Sequence, residues 1–170
     1  RHDMKNHLQT ISLLYDQGNR QELLDYLHST TDLLVKTEAL VSSGNPSIDT
    51  LLGLKLTQMK EKGIRCTPRI SIPQGLSISF SDAVTILGNI LDNALHACTR
   101  WEQPCEIKFS LIYQQHTLLI HMENPCKEEV RKPYGTGMQN VVKAAERYSG
   151  TVQTQVKDQL YITDIVLYHL

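Results

Sequence analysis

The apolar residues of this chain change their spacing at Ser42-Ser43-Gly44-Asn45-Pro46, and that change constrains the fold more than any other feature. Before it, Met4, Leu8, Ile11 and Tyr15 recur at the steps of one helical face, and Leu23/Leu24, Leu27, Leu34 and Val41 form a second run. Asp16-Gln17-Gly18-Asn19 lies between the two and carries turn chemistry with a glycine stop. The seven-residue steps from Leu27 mark a narrow seam of the kind helices use to pair. Two amphipathic helices cannot bury both stripes alone, so an antiparallel hairpin completing a four-helix bundle with a second copy of the chain is expected. A homodimer follows from that expectation.

Beyond the break the pattern alternates between helix and strand. Asn45 followed by Pro46 is good chemistry for a helix cap and first helical position, which sets the expected domains at 1–43 and 44–170. A helix over about Pro46 to Lys62, stopped by Gly63, leads to a strand over Ile64 to Ile72, and Pro68 marks that strand as an edge. A long helix follows from about Asp82 to Thr99 with Ser81 as its cap. Alternating segments at Glu106 to Tyr113 and Thr117 to Met122 then predict a hairpin around Gln114-Gln115-His116. A helix from about Met138 to Tyr148 and strands at Thr151 to Val156 and Tyr161 to Tyr168 complete the chain. The fold class is α+β, with helices on one face of a mixed sheet.

Composition removes several function classes. The 17 basic and 18 acidic residues leave a net charge of -1, so there is no basic field for nucleic acid and no polybasic membrane anchor. No apolar run is long enough to span a bilayer. The four cysteines form no Cys-x-x-Cys pair and read as reduced cytosolic thiols rather than disulfides or a zinc site. A start at Arg1, already inside a helical pattern, suggests the cytoplasmic piece of something longer, held at the membrane only through an upstream segment.

Four stretches carry chemistry. In RHDMKNHL, His2 and Asn6 lie four apart on the polar side of the first helix with Asp3 beside them, whereas His7 leaves that face. In LGNILDNALHAC, Val84, Leu87, Leu91, Leu95 and Cys98 form an apolar stripe, and Asn89, Asn93 and His96 gather opposite. Asparagine is a mediocre helix former, so two of them one turn apart need solvent or a role, and amide oxygens can complete an Mg²⁺ shell. PYGTGMQNV puts Gly135 and Gly137 at a helix entrance, where backbone amides and the helix dipole favour phosphate, although a plain turn uses the same residues. HMENPC places Asn124 just past a strand, where a polar side chain reads a base edge or caps a turn.

In this order the four stretches, together with GNPSIDTLLGLK, resemble the sensor histidine kinases of two-component systems, and within them the Agr-type, peptide-sensing subgroup with a GHKL ATP-binding domain. The resemblance implies a Bergerat-type α/β sandwich over 44–170 and a dimeric phosphoacceptor hairpin over 1–43. It also implies ATP and Mg²⁺ as cofactors, a response regulator as partner, and a place at the cytoplasmic face of the cell membrane. His2 matches the phosphorylated histidine, Asp3 its acidic neighbour, and Asn6 the position one turn on that orients water for dephosphorylation. Asn93 matches the Mg²⁺ ligand and Asn89 its partner one turn earlier, where related ATPases carry a water-activating glutamate. Gly135, Gly137 and the Met138 amide match the glycine box beneath the phosphates. His96 falls where many kinases carry a lysine or glutamate. Asn124 stands in place of the adenine-reading aspartate, without the glycines that normally follow, and Lys127 to Tyr134 matches a short ATP lid. The alternative is a phosphotransfer or scaffold protein that keeps the histidine hairpin and has a degenerate, non-ATP-binding GHKL domain.

Overall fold

The structure, a computed structural model, describes the backbone of residues 2–30, 41–101, 104–126 and 135–170. The chain divides into two compact units, Arg1–Lys36 and Thr37–Leu170. In the first, helix α1 (His2–Asp16) and helix α2 (Arg20–Thr30) are joined through Gly18, whose φ of 67° suits the turn. The Nδ1 atom of His7 lies 2.7 Å from the Tyr26 hydroxyl, so His7 joins the two helices and does not share the His2 face. Of the expected α1 stripe, Leu8 is 60% and Tyr15 74% exposed within this chain. Residues 31–40, with Leu34 of the expected seam, lie outside the described residues, as do the side chains of His2, Asp3, Met4 and Asn6.

The second unit starts from a helix that caps as its sequence suggests. In α3 (Pro46–Glu61) the Asn45 side chain accepts from the Ile48 amide and Pro46 occupies the first turn. Strand β1 (Arg65–Ser71) pairs in parallel with β2 (Glu106–Gln114). Parallel pairing needs a crossover, which the helical run 80–99 provides: α4 (Phe80–Ala83), a π-helical turn (Val84–Gly88) and α5 (Asn89–Thr99). Strand β3 (Thr117–Pro125) pairs antiparallel with β2, and after α6 (Thr136–Glu146) the hairpin of β4 (Thr151–Lys157) and β5 (Leu160–Tyr168) adds to β3. The sheet order is β1-β2-β3-β5-β4, with the Pro68 strand at an edge. Both hairpins turn on two left-handed residues, Gln115-His116 and Asp158-Gln159.

One face of the sheet carries the core. Ile107, Phe109 and Leu111 of β2, Leu118, Ile120 and Met122 of β3, and Ile165 and Leu167 of β5 are buried with Leu52 of α3, Ile90, Leu91 and Ala94 of α5, and Val141 of α6. The result is an α/β sandwich with a five-stranded mixed sheet, and its strand alternation is the pattern the sequence displays.

Two details differ from the sequence reading. Val84 is 38% exposed although it stands in the expected stripe, whereas Leu87, Leu91, Leu95 and Cys98 are buried. The π turn adds a residue to the helical repeat at Val84–Gly88, so the stripe counted at α-helical spacing loses phase there. Cys98 and Cys105 are joined by a disulfide, not held as separate thiols. The helix ends at Thr99 and the chain turns back into β2 within a few residues, which brings the two Cα atoms to 5.6 Å. Burial, with Glu106 nearby, pushes the Cys66 thiol up to about 11, which keeps it protonated and unreactive.

Candidate functional site

The long helical run begins two residues before the start expected from a cap at Ser81. Ser79 is the N-cap: its Oγ accepts from the Asp82 amide at 3.1 Å and donates to Asp82 Oδ2 at 2.8 Å. At the start of α5, Asn89 donates through Nδ2 to the Thr85 carbonyl at 2.6 Å, a back-bond one turn along the helix. That bond fixes the carboxamide and leaves its oxygen facing α6. A Cβ built on Gly137 would stand 2.6 Å from Asn89 Oδ1, closer than two such atoms approach. Glycine at 137 is therefore what lets the start of α6 lie against the Asn89 side chain. Two motifs far apart in sequence are one piece of surface.

The entrance of α6 is built for an anion. Gly135 is its N-cap and offers no side chain to the first turn, and the first intrahelical amide to bond is that of Gln139, to the Gly135 carbonyl at 3.1 Å. The amides of Thr136, Gly137 and Met138 precede that bond, at the positive end of the helix dipole. The Met138 side chain is buried in the core and anchors this turn from below. The helix itself starts at Thr136, two residues before the sequence reading placed it, so Gly137 belongs to its first turn.

Further along α5, Asn93 and His96 are exposed, as a metal or phosphate ligand must be. Just before Asn93, Asp92 is held by Lys55 of α3 at 2.6 Å, an ion pair that ties α3 to the helix. Asn124 departs from its expected place beyond the strand. It lies inside β3, opposite Tyr161, and is 3% exposed with Nδ2 donating to the Pro125 carbonyl at 3.0 Å. The strand runs further than its apolar alternation, because cross-strand pairing to β5 continues through Pro125. Asn124 keeps the alternation of Leu118, Ile120 and Met122, so it faces the helical layer.

The structure therefore joins Asn89 to the Gly135-Thr136-Gly137 turn and places Asn93 and His96 on the same helix. His2, Asp3 and Asn6 lie on α1 by their backbone only, and Lys127 to Tyr134 falls outside the described residues. The residues present fit Mg²⁺ and ATP: a position where a Cβ would collide, free amides at a helix start, and an exposed amide side chain. Among the described residues no group of three His, Cys, Asp or Glu side chains could hold a metal, so such an ion would depend on amide and phosphate oxygens.

A second polar group escaped the sequence reading. Asp82 is 5% exposed, and Arg147 Nη1 donates to its Oδ1 while the Tyr148 hydroxyl donates to Oδ2 at 2.8 Å. The same hydroxyl accepts from the Ser79 amide at 3.0 Å. Burial works against ionisation of Asp82, and hydrogen bonds from Ser79 and Tyr148, with the Arg147 charge, outweigh it and hold the carboxyl below its ordinary range. The readable signal was Ser-x-x-Asp at 79–82, a capping-box pattern. Here it is completed through Tyr148, which no local pattern announces.

Comparison with known proteins agrees with this architecture. The sequence profile described as GHKL domain matches residues 78–168. No curated protein matches the chain. Among solved structures, the catalytic domain of histidine kinase ThkA superposes with a TM-score of 0.60 at 15% identity, over 75% of this chain and 93% of that one. The Acinetobacter baumannii histidine kinase AdeS gives 0.56 at 15% identity over 99% and 98%. A mycobacterial sensor histidine kinase, MprB, gives 0.52 at 16% over 72% and 92%. At these identities the likeness is one of fold. Among the described residues no helix is long and apolar enough to cross a membrane.

Proposed function

The chain belongs to the GHKL domain family, and on that premise we propose that it is the core of a two-component sensor histidine kinase of the Agr-type, peptide-sensing subgroup. Residues 1–43 form the dimerising phosphoacceptor hairpin, a four-helix bundle with a second copy, and 44–170 bind Mg-ATP. The observation that carries this reading is the close approach of Asn89 and Gly137, because it unites the two motifs a phosphate donor requires on one surface. The exposed apolar side chains Leu8 and Tyr15 of α1 support the paired bundle.

In this reading the Thr136, Gly137 and Met138 amides cradle the phosphates, and Asn93 is the Mg²⁺ ligand. Mg²⁺, when bound, neutralises and orients the phosphate oxygens. Asn89 is an amide and a very poor base, so it does not activate water, which favours transfer over hydrolysis. His2 attacks as neutral imidazole while Asp3 accepts the proton on its other nitrogen. A nitrogen–phosphorus bond forms at His2, the bond to the bridging oxygen breaks, and ADP leaves. The phosphoryl group then passes to an aspartate of a response regulator, and Asn6 orients the water that later removes it. Asn124 offers the carboxamide edge for adenine and His96 a further polar group near the phosphates. The complex operates at the cytoplasmic face of the membrane.

One observation favours the second reading, a phosphotransfer or scaffold protein with a degenerate ATP site: Asn124 is buried and its amide nitrogen is already committed to Pro125. Incubation with γ-labelled ATP and Mg²⁺ separates the two. Acid-labile, alkali-stable label in the parent, lost in His2→Gln and in Asn93→Ala, is the expected result. A parent that takes no label and gives no calorimetric nucleotide binding decides for the second reading.

A further inference from the structure

Three helical segments carry the candidate nucleotide surface, and they touch at two places. At one end Gly137 of α6 lies against Asn89. At the other, the residues that follow α6, Arg147 and Tyr148, close on the Asp82 carboxylate in the first turn of α4. Between those two contacts the chain from Asp82 to Asn89 runs through the π turn Val84–Gly88, against which α6 packs.

A π turn is a rare and weakly favoured backbone state, found mostly where tertiary contacts hold it. Its added residue is also what sets the facing of everything beyond it. Relaxation to α-helix would rotate α5 relative to α4 by about 100°, one residue's worth of α-helical turn. Asn89 would then leave the α6 entrance, and Asn93 would turn with it. A device that anchors the run on the near side of the π turn therefore controls where the asparagines point.

We infer that Asp82 is a positioning residue for the nucleotide site, holding the π turn wound by anchoring α4 to Arg147 and Tyr148. The buried carboxylate accepts from Ser79, Arg147 and Tyr148, and the Tyr148 hydroxyl in turn accepts from the Ser79 amide, so both the cap and the far end of α6 converge on one group. The arrangement is asymmetric in its consequences. Asn89 has a second support in Thr85, whereas α4 is a single turn that ends where the π turn begins. Asp82 does not touch the glycine turn and acts only through the helix it fixes. This inference rests on the proposed nucleotide-binding reading and names what sets its geometry.

The test uses the full chain and three substitutions, Asp82→Ala, Asp82→Asn and Tyr148→Phe, the last being the mildest and a safeguard if the first fails to fold. Calorimetry reports Mg-ATP affinity, and amide hydrogen exchange reports the opening of residues 85–89. Stability loss alone lowers apparent affinity only by the folded fraction, less than about 1.1-fold while nine-tenths of the protein is folded. Asp82→Ala is expected to weaken Mg-ATP about tenfold or more, with faster exchange confined to 85–89, and Asp82→Asn and Tyr148→Phe to fall between it and the parent. Affinities within about twofold of the parent, or faster exchange spread evenly over the chain, overturn the inference. A parent that binds no Mg-ATP removes the functional reading itself, a result distinct from a binding parent with indifferent variants.

Discussion

Asn89 and Gly137 are in contact across two helices, with the Asn89 carboxamide oxygen filling the space that any β-carbon at position 137 would occupy. The relationship makes a specific demand. Gly137→Ala adds a good helix former in a first turn, which by propensity alone favours the helix by up to about 1 kcal/mol. The added methyl displaces only the end of a side chain, so the thermal midpoint is expected to move little. Asn89 must break its 2.6 Å bond to Thr85 to make room, and Mg-ATP affinity is expected to fall about fivefold, since one lost hydrogen bond is worth about 1 kcal/mol. Gly135→Ala is the control for this contact, because among the described residues nothing lies within 4 Å of its β-carbon position. Comparable losses for both variants in parallel titration and melting curves would contradict the contact argument.

Asn93 and His96 are exposed on α5, and their replacement separates binding from stability. Alanine at either position is expected to change unfolding free energy by no more than about 0.5 kcal/mol. Asn93→Ala should remove the Mg²⁺-dependent part of nucleotide affinity, whereas His96→Ala should leave that dependence intact. Titrations with and without Mg²⁺ read the difference, and an unchanged Mg²⁺ dependence in Asn93→Ala rules out its role as a ligand.

The disulfide Cys98–Cys105 closes a loop with a sequence separation of 7 between the end of α5 and the start of β2. A loop of that size restricts the unfolded chain by about 2.5 kcal/mol. Denaturant unfolding with a dithiol reductant should show a stability loss of that order in the parent and none in Cys98→Ser. Equal curves with and without reductant would mean the bridge does not form in solution.

On the outer face of the sheet His121 Nδ1 lies 2.6 Å from Asp164 and Nε2 3.2 Å from Glu123, which is also paired with Lys108 at 2.8 Å. Partial burial opposes protonation of His121, but its bonds to Asp164 and Glu123 and their charges outweigh it and raise the imidazole above its ordinary 6.5. A group whose folded value is raised contributes stability that is fully present below the unfolded value and lost as pH rises through the folded one. The stability gap between the parent and His121→Gln should therefore be widest below about pH 6.5 and close as pH increases. Melting curves across that range give the answer, and a constant gap would sink the pairing argument.

Much of the second unit could be read along the chain because its signals are local. Asn45 and Pro46 announce the start of α3, Pro68 the edge strand, and the alternation from Glu106 onward the β2–β3 hairpin, each through a neighbour within a few residues. The asparagines of α5 and the glycines of α6 were likewise visible as unusual residues in their elements. The misses come from a departure from regular repeat, from the meeting of two element ends, or from helix starts shifted by two residues. Val84 left its expected stripe because of a π turn, and the Cys98–Cys105 bridge formed where a helix end meets a strand start.

By itself the sequence determined the order of helices and strands beyond Asn45 and which residues alternate on a strand, since propensity, capping and periodicity act between near neighbours. Tertiary structure alone decided that Asn89 meets Gly137, that Asp82 is closed by Arg147 and Tyr148, and that Asn124 is buried within β3. Those outcomes depend on the packing of elements far apart along the chain against one sheet. The free energy of that packing comes from buried apolar area, which has no direction of its own until the backbone brings the faces together.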